Sequence, residues 1–184
     1  IAEIEVVDRS SASEKLPNMT PRAVRLKAEQ WLRSSAIIKV DPAEKGLAYR
    51  LRIEFGVGLQ QTESGPVTVA LVSARAAVVG NSDSIVLQSS AITSMSGKAR
   101  PTKDKAAQLN QTLKEVIGDI TYQAKLVMGS EAQLVAALSE ADEDRLLSAL
   151  EIVAMRRPKS ALPRLTQLLN HKKERVVDRT IGAL

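Results

Sequence analysis

Eleven residues, "LAYRLRIEFGV" (47–57), alternate without a break. Leu47, Tyr49, Leu51, Ile53, Phe55 and Val57 fall on one side, and Ala48, Arg50, Arg52, Glu54 and Gly56 on the other. Successive side chains of an extended chain point to opposite faces, so this spacing predicts a strand with one face in a core and one in water. A half-solvated strand belongs to an antiparallel or mixed sheet, because wholly parallel sheets are covered on both faces. The chain is therefore expected to hold a sheet with apolar cover over one face.

The flanking segments supply the rest of such a layer. "AEIEVVD" (2–8) sets Ile4 and Val6 between Glu3 and Glu5 and reads as a strand, followed by a polar loop broken at Pro17. Thr20 before Pro21 marks a helix start, and Val24, Ala28 and Trp31, with Leu32 beside them, give that helix its apolar face, Trp31 being the expected anchor. "AIIKV" (36–40) is expected as a short strand and 41–46 as a turn. "VTVALVSARAAVV" (67–79) alternates through Thr68, Ala70, Val72, Ala74, Ala76 and Val78. "GNSD" (80–83) is the expected hairpin turn before a further strand in "SIVLQSSAITSM" (84–95). The last two strands carry mostly small residues, a face that lets a helix approach closely. A basic loop with Lys98, Arg100 and Lys103 reads as a solvated hinge.

A long helix is then expected from Thr102 or Asp104, with Leu109, Leu113, Val116, Ile117, Ile120, Ala124 and Val127 as one stripe. The order strand, helix, strands, long helix predicts an α+β domain over residues 1–138, its mixed or antiparallel sheet covered by helices. In plan it is similar to small exported or lipoprotein-type bacterial modules.

The C-terminal part carries a repeat. "DRLLSALEIV" set above "ERVVDRTIGAL" pairs Leu146 with Val177, Leu150 with Ile181 and Val153 with Leu184, all at one offset along the chain. Between them lie a break at Pro158 and a second apolar set, Leu162, Leu165, Leu168 and Leu169. Helix, turn, helix, turn, next helix is a unit that buries its apolar face by stacking on its neighbours. A lone leading helix of a second unit would leave its apolar stripe exposed, so either it packs back on the first pair or the array continues past Leu184, and continuation is expected. Residues 139–184 are thus read as a helical repeat region, joined to the first domain without a glycine or proline break and so by a semi-rigid junction.

"SALPRLTQLLNHKKERVVDRTIGAL" resembles a HEAT-repeat segment, an α-solenoid class. Ala161, Leu162, Pro163, Leu165, Leu168 and Leu169 match the second-helix pattern of that class, and Arg175, Val176, Ile181 and Leu184 match the opening of the next unit. Val177 followed by Asp178 departs from the usual Val-Arg pair. The resemblance covers about residues 142–184 and implies a scaffold or protein-binding surface.

Catalytic chemistry is hard to assemble from this composition. Cysteine is absent and His171 is the single histidine, so thiolate chemistry and multi-histidine zinc sites are excluded. Glu140, Asp142, Glu143 and Asp144 cluster where a helix begins, a place that favours negative charge without further function. His171 is expected to cap the helix before it. No glycine-rich phosphate loop occurs, and four aromatic residues make a poor stacking platform. We expect no catalytic residue, no metal, no cofactor and no enzyme activity.

The net charge of +5 fits many partners and selects none. The candidate interaction surface is the basic set Arg156, Arg157, Lys159, Arg164, Lys172, Lys173 and Arg175, with Arg50 and Arg52 on the first domain. A protein partner is expected: the chain reads as a non-catalytic interaction or assembly module of a bacterial envelope protein. The alternative is a nucleic-acid-associated scaffold that uses the basic turns between helices. No run of apolar residues is long enough to span a bilayer. No signal peptide is recognisable, and with Ile1 rather than Met in first place a processed or trimmed start is expected. The periplasm or cell envelope is favoured over the cytoplasm.

Overall fold

The computed structural model describes residues 1, 3–11, 15–35, 49–63, 65–78, 86–94 and 102–184. It divides into two compact units, residues 1–121 and 122–184. The fold is α+β, a mixed four-stranded sheet followed by helices.

The first unit opens with β1 (Glu3–Asp8), α1 (Pro21–Ser34), β2 (Tyr49–Thr62), β3 (Gly65–Val78) and β4 (Leu87–Ser94). Sheet order follows chain order, with β1 parallel to β2 and the other pairs antiparallel. The alternation read from sequence is observed from Arg50 to Phe55; it departs at Tyr49, which is half-buried, and at Gly56, which is buried beneath the backbone of Arg9 and Ser10. Leu51, Ile53, Phe55 and Val57 of β2 are buried, and so are Ala70, Val72, Ala74 and Ala76 of β3. Beside β1 lies α1, started by the Thr20 hydroxyl accepting from the Ala23 N–H and burying Val24, Ala28 and Leu32. Trp31 is only half-buried, so Leu32 holds the anchoring place expected of Trp31.

The long helix α2 (Thr102–Met128) buries Leu109, Leu113, Val116, Ile117 and Ile120. Its polar side chains tie it to the sheet and to α1. Ser89 donates to Asp119 at 2.8 Å, Thr93 meets Thr112 at 2.7 Å, and the Lys27 ammonium donates to Asn110. Small residues on β3 leave room for this approach, and each fully buried aliphatic side chain contributes about 1.5–3 kcal/mol. The expected strand at 36–40, turns at 41–46 and 80–83, and most of the basic loop before α2 lie outside the described residues.

The second unit takes in the end of α2, then α3 (Glu131–Ala137), α4 (Glu143–Arg156), a single 3-10 turn (Lys159–Ala161), α5 (Leu162–Leu168) and α6 (Glu174–Ala183). Its boundary falls inside α2, upstream of the 138/139 position expected from sequence. Among the described residues no helix is long and apolar enough to cross a membrane.

Candidate functional site

The second unit is two helix pairs in succession. α3 and α5 have the same length, and the interval from Glu131 to Leu162 at their starts equals that from Glu143 to Glu174 at the starts of α4 and α6. The turns share most of their backbone bonds. Ser139 and Glu140 donate to the carbonyls of Ala136 and Ala137, and Asn170 and His171 donate to those of Gln167 and Leu168. Leu146 N–H reaches Asp142 O at 3.0 Å, and Val177 N–H reaches Lys173 O at 3.2 Å. Leu134 and Leu165 are buried at equivalent places in α3 and α5. The starts differ in chemistry. The Asp142 carboxylate accepts from the Arg145 N–H and caps α4, whereas Lys173 offers α6 no side-chain cap. His171 closes the end of α5 through its backbone N–H, which reaches Leu168 O at 3.0 Å, while its Nδ1 accepts from the Lys173 N–H at 3.2 Å at the entrance to α6.

Burial separates the two pairs. Leu146, Leu150 and Val153 are 4%, 0% and 1% exposed. Their equivalents fare differently: Val177 is half-buried, while Ile181 and Leu184 are 60% and 59% exposed. α6 instead buries Val176, Thr180 and Ala183, the Thr180 hydroxyl being satisfied by the Val176 carbonyl at 2.7 Å. α4 is covered by the helix pair after it, and among the described residues α6 has no such cover. The α4–α6 contact is fastened by charge. Glu143 takes Lys173 at 3.6 Å and Arg175 at 3.8 Å, and Glu151 takes Arg179 at 3.0 Å.

The basic residues singled out from sequence do different work. Arg156 Nη1 donates to the carbonyls of Leu126, Val127 and Gly129, at 2.9, 3.3 and 2.7 Å, where α2 ends and its last carbonyls lack helical partners. Arg164 closes α3 in the same way, its Nε donating to Leu138 O at 3.1 Å and its Nη1 to Gln167. Lys173 and Arg175 are held by Glu143. Arg157 sits with φ 47° as the left-handed cap of α4 and is exposed, as are Lys159 and Lys172. In the first unit Arg50 pairs with Glu3 at 2.7 Å, and Arg52 with Glu54 at 2.8 Å and Glu5 at 3.6 Å. The bonds from Arg9 and then Arg52 hold the Glu54 carboxyl below the usual carboxylate range. Seven of the nine candidates therefore already have protein partners or cap duties, and Lys159 and Lys172 are the two left over.

Tyr122 carries no signal in the sequence. Its hydroxyl is buried without a hydrogen-bond partner, and the Arg145 guanidinium lies 5.3 Å from its ring centre. Burial, and then Glu140, raise its pKa above the ordinary phenol value. Among the described residues no three His, Asp or Glu side chains gather as a metal site requires.

No protein-family model matches the chain, and no curated protein matches it. Two solved structures are similar in part. A minor lipoprotein from Acinetobacter baumannii matches at TM-score 0.41 and 11% identity, over 66% of this chain and 91% of that one. A PelC dodecamer from Paraburkholderia phytofirmans matches at TM-score 0.40 and 14% identity, over 65% of this chain and 84% of that one. Both scores are too low to establish a shared fold.

Proposed function

We propose that this chain is a non-catalytic protein-interaction or assembly module of a bacterial envelope protein, its second unit acting as a HEAT-like scaffold segment. The observation that carries the reading is a helix pair repeated at a constant interval, the second copy of which leaves Ile181 and Leu184 open to solvent. Apolar side chains gathered on one helix face favour contact with another protein over contact with water. The basic turns supply a weak nucleic-acid surface by comparison: Arg156 and Arg164 spend their guanidinium groups on backbone carbonyls, and Lys173 and Arg175 face Glu143. Counting phosphate contacts, few cations remain to release counterions. The envelope assignment is supported by the element order of the first unit, the plan shared with small exported modules.

Affinity capture tests it. The protein serves as bait in lysate and envelope fractions of the source cells, with and without nuclease. A protein partner that survives nuclease and is recovered from the envelope fraction is expected. Capture that disappears with nuclease would replace this reading with the nucleic-acid scaffold.

A further inference from the structure

We draw no further inference here: the strongest candidate, the apolar patch that Leu71 of β3 and its cross-strand partner Ile92 of β4 leave open on the sheet face opposite Val72 and Ala74, carries nothing because nothing in the structure shows what covers it.

Discussion

Arg156 Nη1 lies 2.7 Å from the carbonyl oxygen of Gly129 and also bonds Leu126 and Val127, so one guanidinium closes the end of α2. A charged donor is worth more here than a neutral one, at about 1.5–3 kcal/mol for a hydrogen bond of this kind. Arg156→Met is therefore expected to lower the stability of the second unit by roughly 2 kcal/mol, read from a denaturant midpoint. A surface cation would show no such loss.

Arg157, next in the chain, has φ 47°, a left-handed conformation that glycine adopts without cost. Its backbone N–H closes α4 on Val153 O at 2.7 Å, a bond that needs no side chain. Arg157→Gly should raise stability by about 1 kcal/mol, the usual penalty for a side chain in that region. A lower melting temperature would show that the arginine side chain contributes more than its backbone strain costs.

Much of this architecture was legible in the sequence, where one physical period governed it. The strand face from Leu51 to Val57 and the stripe from Leu109 to Ile120 follow period two and period 3.6, and both are buried as expected. The restart of the helical pattern was also legible, and it extends further upstream than Leu146. Leu134 and Leu165 already stand at the same offset, so the first helix pair begins at α3. Residue type could not tell which repeat is covered: Leu150 and Ile181 are alike in chemistry and differ only in their neighbours in space. The roles of Arg156 and Arg164 were hidden for a related reason. Their acceptors are the ends of earlier helices, α2 and α3, brought near by the fold.

Gly56 is where β2 admits the chain leaving β1. A Cβ there would lie 3.0 Å from the Arg9 carbonyl carbon and 3.1 Å from the Ser10 nitrogen, both backbone atoms. Those residues extend the parallel pairing, Arg9 N–H reaching Phe55 O at 2.7 Å and Ser11 N–H reaching Val57 O at 3.3 Å. Gly56→Ala should destabilise the first unit by about 1–3 kcal/mol, as overpacking against backbone does. Gly58, with nothing near its Cβ position, is the control; the same change there should cost less.

Tyr122 buries a hydroxyl that no described group satisfies. Replacing an unpaired buried donor by an apolar isostere removes its desolvation cost, so Tyr122→Phe should leave stability unchanged or raise it by up to about 1 kcal/mol. The sign with pH follows from the raised phenol pKa. The unfolded chain ionises first, so the folded state keeps its full stability below about pH 10 and loses it as pH rises through the higher folded value. Phenolate absorbance in a Tyr49→Phe background, followed against pH, reads this ionisation alone.

The stripe of α6 repeats the stripe of α4 in residue type, but Ile181 and Leu184 are open to solvent where Leu150 and Val153 are buried. Thermal melting of two matched variants, Leu150→Asp and Ile181→Asp, tests this most directly. Leu150→Asp is expected to cost more than about 3 kcal/mol, because it buries an unpaired charge, and Ile181→Asp to stay within about 0.5 kcal/mol of the unaltered protein. Equal losses in the two variants would contradict it, since Ile181 would then already be covered within the folded chain.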